Sequence, residues 1–571
     1  MLNGLRVVSA LFLCAIAGCG DSDSPDTVFI NGAVYTLDPE REWAEAVAVT
    51  DGHISKVGTS AEVSALVSRG TEVIDLDGKM LLPGFHDTHI HPIAAITDAM
   101  CDVAGQGAAN VLKALAACRD EGIGVQGEWL VGYGWKDKDF SGETLPDRFT
   151  LDALDFDGPI VLQDQYGHSS WANSEALRRA RVTVDTADPI GGRILRDGEG
   201  QPTGILRDTA QDLVQDQAAR EAPILQSIWQ ATTALDGGVA LLNAHGITSY
   251  VDAMVFPEMV DLYQLLVLAG RLTARVQLSL WAYPNDDDEA QISRLLGQYS
   301  NEPGAMLKIN QVKMYIDGIL QSQTARLSSP YLGAPHEYGL NYFTEDRVTR
   351  YIRELSPEGF QFHLHAIGDA AVHEALNAVE RATEETGDLD RRHHMVHLEA
   401  VQERDLPRFA TLGVLPNPQM SYGMPDSPAR SVHLQAISNF MGLRITPLQS
   451  HLDNGAKLVL SSDWSAGTLS PLIGIQAAVT RQHIDADSAE DYVSEPEERI
   501  SLADAIRAYT LNAAYLMHQE ELTGSIEEGK LADLVVLSEN LFEISPYAIH
   551  EVRVLATLLE GDIVYQQQGS E

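Results

Sequence analysis

Eight short apolar segments that end in polar residues recur between residues 81 and 464, and they constrain the fold more than any other feature. Between them, stretches such as 345–355 and 369–385 carry apolar residues at three- and four-residue spacing, which predicts amphipathic helices. Alternating strands and helices predict a parallel sheet, either open and doubly wound or closed into a barrel. The strand count and the polar strand ends favour an α/β fold of the (β/α)8 TIM barrel type. The segments are 81–91, 246–253, 275–283, 307–317, 360–369, 393–400, 413–420 and 457–464.

Both ends of the chain carry shorter β-like runs punctuated by turn dipeptides. Asn31-Gly32 and Asp51-Gly52 are pairs that favour tight hairpins. We therefore predict a composite β-sandwich domain built from both termini. The predicted divisions are a lipoprotein signal peptide (1–18), a tether (19–26), the N-terminal part of the β-sandwich (27–82), the barrel (83–524) with an excursion at about 93–240, and the C-terminal part of the β-sandwich (525–571).

Residues 1–18 are typical of a secretory signal, with Arg6 ahead of a short apolar run at 7–17. The run is shorter than the roughly 20 residues that span a bilayer. Residues 16–19 resemble a bacterial lipobox, so we expect Cys19 to be lipidated and the protein to be anchored at the cell envelope. Gly20 indicates the outer membrane of a Gram-negative type. A soluble periplasmic or secreted protein is the alternative.

The net charge of the chain is −43, from 39 basic and 82 acidic residues. Such a surface repels nucleic acid and anionic lipid, so we expect neither as a partner and expect membrane contact only through the anchor. We expect a small-molecule substrate. The oligomeric state stays open, with a homodimer among the options. Of the four cysteines, Cys101 and Cys118 remain after export and lipidation, and their pairing also stays open.

Several predicted strands end in residues that can bind a metal. His89 and His91 close the first segment, and a strand period of two places both imidazoles on one side. The carboxyl ends of barrel strands meet at one face, where barrel enzymes hold their active sites. A lone histidine at a strand end is more often a hydrogen-bonded structural residue, but together these residues predict a site for zinc or a similar divalent ion. The others are Lys313 on the fourth segment, His363 and His365 on the fifth, His397 on the sixth and Asp463 on the eighth.

The motif PGFHDTHIHP at 83–92 resembles the strand-one signature of the amidohydrolase superfamily. The rest of the chain resembles amidohydrolase family 3, the branch of YtcJ-like proteins and N-substituted formamide deformylases, over roughly residues 27–565. The motifs that show this resemblance are VKMYIDG (312–318), HLHAIGDAAV (363–372), HHMVHLEA (393–400), LSSDWSAG (460–467) and GHSSWANSEAL (167–177).

The resemblance implies two divalent metal ions, most simply zinc, bridged by a carboxylated lysine. Lys313 fits the spacing of the family motif better than Lys308, which lies on the same strand. The implied ligands are His89, His91 and Asp463 for the first ion, His365 and His397 for the second, and Lys313 between them.

The resemblance also implies metal-assisted hydrolysis of an amide-type, non-peptide C–N bond in a small molecule. Asp463 would move the proton from the attacking water to the leaving nitrogen. His168 would bind or polarise the substrate, although a structural role fits it equally well, and Asp317 would close a hydrogen bond after strand four. An esterase or lactonase on the same site is one alternative. A surface-anchored binding protein without catalysis is another.

The remaining histidines are predicted to support the site or to lie outside it. His86 is three residues before His89, so it faces away on a regular strand, and His363 is expected to support the ligands. His393 and His394 are predicted to be surface or loop residues. The sequence departs from the family pattern at His86, after Asp317-Gly318 and at His397-Leu398-Glu399, which puts the substrate in doubt more than the metal site.

Overall fold

The computed structural model describes residues 24–93, 100–105, 107–140, 146–387, 389–420, 442–486 and 493–568. The predicted signal peptide, Cys19 and most of the tether lie outside these residues. Within the described part of the chain, no helix is both long enough and apolar enough to cross a membrane.

Seven short strands and one helix occupy residues 27–83. Asp51-Gly52 forms a two-residue turn that pairs Thr50 with His53. Both turn residues have positive φ, 48° and 76°, as a tight hairpin of this kind requires. The elements are β1 (Thr27–Ile30), β2 (Ala33–Tyr35), β3 (Trp43–Ala44), β4 (Ala46–Thr50), β5 (His53–Gly58), α1 (Ser60–Ser64), β6 (Glu72–Asp75) and β7 (Met80–Pro83).

Gly84 divides the segment that was predicted as the first barrel strand. The chain leaves β7 at Pro83 and starts the barrel with β8 (Phe85–Ile90). A Cβ at Gly84 would lie 2.3 Å from Oγ1 of Thr248, so glycine is the residue that leaves room for the Thr248 side chain. The N–H of Gly84 donates to the carbonyl of Asp533 at 2.8 Å.

Residues 100–222 build a further sheet between the first and second barrel strands. Its strands are β9 (Cys101–Asp102), β10 (Val125–Gln126), β11 (Trp129–Trp135), β12 (Ile160–Asp164), β13 (Ser169–Ala172), β14 (Gly192–Arg196) and β15 (Pro202–Asp208). Its helices are α2 (Ala108–Glu121), α3 (Arg148–Asp152), α4 (Ser174–Arg179) and α5 (Asp212–Glu221), and α6 (Ile224–Ala244) then leads to the second barrel strand. The order is β10-β11-β12-β13-β15-β14, with β9 beside β11. Cys101 and Cys118 form a disulfide between β9 and α2.

Seven parallel strands form the barrel sheet in the order β22-β20-β19-β18-β17-β16-β8. An apolar core that includes Leu278, Val312 and Leu364 packs these strands against the surrounding helices. A separate antiparallel pair, β21 with β23, lies outside the barrel. The strands are β16 (Ile247–Val255), β17 (Arg275–Trp281), β18 (Leu307–Tyr315), β19 (Gln361–Ala366), β20 (His394–His397), β21 (Ala400–Gln402), β22 (Leu415–Asn417) and β23 (Leu443–Ile445).

Helices follow most of the barrel strands, as an α/β barrel requires. They are α7 (Pro257–Leu268), α8 (Asp288–Gln298), α9 (Glu345–Leu355), α10 (Asp369–Thr386), α11 (Leu406–Leu412), α12 (Gln449–Asp453), α13 (Pro471–Thr480), α14 (Leu502–Ala508) and α15 (Leu511–Leu516). Short 3₁₀ helices lie at Asp137–Phe140, Thr209–Gln211, Pro496–Glu498 and Pro546–Glu551.

The eighth predicted strand, 457–464, is not a regular strand, yet it spans the gap between β22 and β8. The N–H of Val459 donates to the carbonyl of Pro416 at 2.9 Å. At the other end of the segment, the N–H of Asp463 donates to the carbonyl of His89 at 2.9 Å. These bonds close the parallel sheet, so the α/β barrel has seven regular strands and one irregular segment.

The last three strands are β24 (Leu534–Leu537), β25 (Val554–Leu559) and β26 (Asp562–Gln566). They join strands from the other end of the chain in the sheet β26-β25-β24-β7-β2-β3, while β5-β4-β1-β6 forms a second sheet. Phe29 and Val47 from the second sheet share one hydrophobic cluster with Leu534 and Val536 from the first.

A buried ion pair ties the barrel to the terminal strands. Arg275, at the start of β17, contacts the carboxylates of Asp533 and Glu560. The side chains of Arg275 and Asp533 are only 3% and 1% exposed. Burial raises the pKa of the Asp533 carboxyl, and the Arg275 charge counters that effect.

Arg275→Ala should therefore destabilise the fold by about 3–5 kcal/mol, because it leaves a buried carboxylate without its partner. The free energy of unfolding in urea measures this. Arg271→Ala is the matched control, since Arg271 is 55% exposed and pairs with Asp236 at the surface, where a pair contributes about 0–1 kcal/mol. Equal losses in the two variants would contradict the role given to Arg275.

Candidate metal centre

Three side chains meet where β8 ends beside the irregular eighth segment. Oδ1 of Asp463 lies 3.1 Å from Nε2 of His89 and 3.2 Å from Nε2 of His91. The two imidazole centroids are 5.3 Å apart, so both rings lie on one side of the strand, as the period-two argument expects. The structure thus brings together the three residues predicted to hold the first ion.

Asp463 is held in an unusual backbone conformation. Its φ is +52°, and His397, whose Nδ1 lies 3.8 Å from Oδ2 of Asp463, has a φ of +73°. Residues other than glycine rarely adopt a positive φ, and those that do cluster at functional sites. Burial alone would raise the pKa of the Asp463 carboxyl, but the neighbouring His89 and other histidines hold it well below its usual range.

His365 and His397 lie together on neighbouring strands, with ring centroids 4.4 Å apart. Nε2 of His365 lies 3.3 Å from the carbonyl of Gly318, and its Nδ1 is buried with no hydrogen-bond partner among the described residues. Burial lowers the pKa of both imidazoles well below the usual value. Both rings are therefore neutral, which is the form that binds a metal.

Lys313 is fully buried on β18, and its Nζ has no hydrogen-bond partner in the described part of the chain. The nitrogen lies 5.2 Å from the ring centroid of Tyr315, next to His365. Burial lowers the pKa of this amine to about 7, so a large share is deprotonated near neutral pH. Lys308, the rival, lies at the opposite end of β18.

His168 reaches the same site from the sheet of residues 100–222. Its ring centroid lies 5.6 Å from His365 and also 5.6 Å from Tyr315, on which it stacks. Nδ1 of His168 lies 2.7 Å from Oδ1 of Asp208. Burial opposes the charged form of the ring, but the Asp208 carboxylate outweighs it and raises the pKa of His168. The second ring nitrogen is therefore the one available to a ligand.

Asp317 has a wider role than the predicted turn contact. Its carboxylate accepts hydrogen bonds from the backbone N–H groups of Arg326, Ile367 and Gly368 at 2.8, 3.0 and 2.8 Å. It therefore ties the loop after β18 to the loop after β19, next to His365. Burial raises the pKa of the Asp317 carboxyl to about 8.

A chain of buried polar side chains orients His89 from behind. Nδ1 of His89 lies 2.6 Å from Nε2 of His363, and Nδ1 of His363 lies 3.0 Å from the hydroxyl of Ser279. That hydroxyl donates to Oε1 of Gln311 at 2.9 Å, and Gln311 Oε1 lies 3.1 Å from Nε2 of His394. Such contacts hold a ligand ring in position and set its tautomer.

The prediction that His393 and His394 are surface or loop residues is wrong for His394. His393 does precede β20 outside the strand, but it is not on the surface. His394 is fully buried in β20, and His393 is 8% exposed. His393 Nδ1 accepts the backbone N–H of Phe362 at 3.0 Å. Ser279 and Gln311 were not identified from the sequence. Gln311 lies two residues before Lys313 on β18, and Ser279 lies two residues before Trp281 on β17. The strand period of two could therefore have placed both on the same side as the site.

His86, the additional histidine of the motif, faces away from His89. Nδ1 of His86 lies 3.1 Å from the carbonyl of Gly84, and Nε2 lies 3.0 Å from the hydroxyl of Thr523. The ring is fully buried, and burial lowers its pKa to about 3. His86 therefore fastens β8 to the segment that leads to the C-terminal strands.

The side chains present fit a divalent cation. One ligand atom each from His89, His397 and Asp463 lie within 4.8 Å of one another. Around them are neutral imidazoles and two buried nitrogens, Nδ1 of His365 and Nζ of Lys313, that lack a hydrogen-bond partner among the described residues. Buried polar atoms are normally paired, so this donor set is one that a metal would complete.

Comparison with known proteins identifies the family. A sequence profile of the Amidohydrolase family matches residues 72–565. The chain is 30% identical to Protein LONG AFTER FAR-RED 3 of Arabidopsis thaliana, over 95% of this chain and 91% of that protein. It is 29% identical to the putative amidohydrolase YtcJ of Bacillus subtilis and 27% identical to the N-substituted formamide deformylase of Arthrobacter pascens. Each of these alignments covers 95% of this chain and 99% of the relative.

The fold is also found in solved structures. A crystal structure described as an uncharacterized metal-dependent hydrolase of Pyrococcus horikoshii superposes with a TM-score of 0.71 and 21% identity, over 91% of this chain and 99% of that chain. At this identity the likeness concerns the fold. With the family profile matching most of the chain, the sequence motifs and the site agree on one conclusion: the protein belongs to the amidohydrolase family.

Proposed function

We propose that the protein is a binuclear metal-dependent hydrolase that cleaves a non-peptide, amide-type C–N bond of a small molecule. The observation that best supports this is the contact of one carboxylate, Asp463, with His89 and His91 beside the buried amine of Lys313. The relative described as an N-substituted formamide deformylase supports the bond type.

In this proposal His89, His91 and Asp463 hold one ion, and His365 and His397 hold a second. Lys313, whose burial favours the neutral amine, would take up carbon dioxide and release a proton, and the resulting carbamate would supply an anionic ligand to both ions. Zinc suits a set of imidazoles and carboxylates. Such ions, when bound, lower the pKa of water and polarise a carbonyl group.

The protein side chains then handle the proton. Asp463 accepts the proton of the attacking water and returns it to the amide nitrogen as the C–N bond breaks and the new C–O bond forms. The products are a carboxylic acid and an amine, so atoms balance with water as the only co-reactant. His168, protonated and held by Asp208 through Nδ1, donates from Nε2 to the substrate carbonyl oxygen.

We further infer that the two terminal sheets form one β-sandwich domain, supported by their shared hydrophobic cluster.

Export and lipidation at Cys19 are likewise proposed, on the pattern of residues 1–20 alone. Radiolabelled palmitate incorporation into the full-length protein, and its loss in Cys19→Ser, test the anchor.

Asp463→Asn should lower kcat/KM on hydrolysable amides by at least about 10²–10⁴-fold, because it removes both the proton carrier and a metal-binding oxygen. Metal-replete protein assayed against a panel of amides and esters provides the measurement. Asp485→Asn is the control, since its side chain is 88% exposed. Unchanged activity in the Asp463 variant would refute the proposed role.

Asp208→Asn should shift the alkaline limb of the kcat/KM–pH profile to lower pH. The Asp208 carboxylate raises the pKa of His168, so in the wild type the protonated ring persists to higher pH and activity falls as pH rises through that value. The same pairing stabilises the fold below the unfolded-state pKa of the ring and stops doing so above the folded-state pKa. His168→Asn should lack this limb. A limb that stays in place in Asp208→Asn would rule out His168 as the group that titrates.

A further inference from the structure

A cavity of about 410 Å³ lies beside the candidate metal centre. Its walls come from the barrel and from the elements of residues 100–222. His168 lines this cavity and also a small recess formed with His365, His397 and Asp463. A substrate whose carbonyl group sits at the metal centre would therefore place the rest of its structure in this cavity.

Aromatic side chains make up much of the wall on the barrel side. Trp281 and Tyr315 stand nearly perpendicular, with ring centroids 4.7 Å apart. Tyr342 lies 5.6 Å from Tyr315, and Tyr283 lies 6.3 Å from Trp281. Phe256 completes the set at 6.2 Å from Tyr283. Several electron-rich ring faces around one space are typical of sites that bind organic cations.

The charged residues in the lining are acidic, apart from His168. They are Asp208, Asp212, Asp216 and Glu258, and the described lining contains neither lysine nor arginine. Asp216 pairs with Arg220 at 3.3 Å, but both of these side chains are largely exposed. Asp208, only 1% exposed, is paired with His168, whose Nδ1 lies 2.7 Å from its Oδ1. Asp212 and Glu258 have no ion-pair partner among the described residues, so the lining carries more negative than positive charge.

Asp212 is affected both by its burial and by the neighbouring carboxylates. It starts α5, where the helix N-terminus should favour its ionised form. Instead burial, followed by the neighbouring Asp216 and Asp208, raises the pKa of the Asp212 carboxyl to about 7. A positive charge placed in the cavity would remove that repulsion.

We propose that this cavity recognises a cationic group, so that the preferred substrate is an amide carrying an ammonium or similar positive charge. The proposal rests on the hydrolytic function proposed above and names its substrate class. Aromatic faces and carboxylates together select an organic cation over a neutral or anionic chain. The net charge of −43 adds long-range attraction for such a molecule.

The first test compares matched amides. The substrates are N-acylated alkylamines that share a five-carbon chain. The chain ends in an ammonium, a methyl or a carboxylate group, and each compound is prepared both as a formamide and as an acetamide. Metal-replete wild type should show kcat/KM for the ammonium compound at least about tenfold above the methyl compound, which equals about 1.4 kcal/mol, with the carboxylate compound lowest.

Variants locate the effect. Asp212→Asn should bring the ammonium-to-methyl ratio of kcat/KM towards one, and Glu258→Gln is a second variant in case the first does not fold. Asp77→Asn is the matched control, because Asp77 is 92% exposed and lies in a turn of the N-terminal strands. Its ratio should equal that of the wild type.

The second test measures binding without catalysis. Calorimetry with pentylammonium should show binding to the wild type and a Kd about tenfold higher for Asp212→Asn, with no change for Asp77→Asn. Pentanol, the neutral analogue, should bind more weakly than pentylammonium.

The outcomes separate the two proposals. Hydrolysis without any preference for the ammonium compound, together with no pentylammonium binding, overturns the cation site and leaves the hydrolase proposal standing. Binding of pentylammonium that depends on Asp212, without hydrolysis of any amide by metal-replete protein, upholds the cation site and overturns the hydrolase proposal. If the protein neither binds pentylammonium nor hydrolyses any amide, both proposals are overturned.

Discussion

The contact between Asp463 and the histidines of β8 is the interaction on which the site depends. The carboxylate of Asp463 lies 3.1 and 3.2 Å from His89 and His91. Around it are imidazoles and a lysine amine whose pKa values are lowered by burial. His365, His397 and Lys313 therefore favour the neutral state, and each presents a lone pair rather than a charge. Carboxylate and neutral nitrogen donors gathered in one largely buried site are a donor set that suits a divalent cation.

The eighth segment joins β22 to β8, and this closure of the barrel brings Asp463 to the histidines of β8. The eighth segment departs from regular strand geometry where it reaches Asp463, and the residue turns its carboxylate towards β8 while its N–H bonds to the carbonyl of His89. Behind His89, the contacts through His363, Ser279 and Gln311 hold the ring from the barrel interior. The ligands are thus positioned by rigid strands, and the sheet of residues 100–222 adds His168 and the acidic side of the cavity. The barrel thus supplies the predicted metal ligands, and residues 100–222 supply His168 and most of the acidic groups of the cavity.

The alternation of strands and helices was enough to predict an α/β barrel, and the spacing of His89 and His91 was enough to place them on one face. The irregularity of the eighth segment could not be predicted, because it depends on contacts of Ser462 and Asp463 with β8, where Asp87 lies 375 positions before Ser462. The burial of His393 and the strand position of His394 were missed for a similar reason. Their burial depends on partners such as Gln311 and Phe362 on neighbouring strands, which a local reading of polar residues does not reveal. The acidic character of the cavity was invisible in a chain that is acidic throughout.

Metal stoichiometry tests the central claim most directly. Protein reconstituted with zinc, freed of excess ion and supplied with carbon-13 bicarbonate is analysed by elemental mass spectrometry and by carbon-13 NMR. The account predicts two ions per chain and a carbamate signal in the wild type, and at most one ion and no such signal in Lys313→Ala. One ion per wild-type chain without a carbamate signal would contradict the binuclear site.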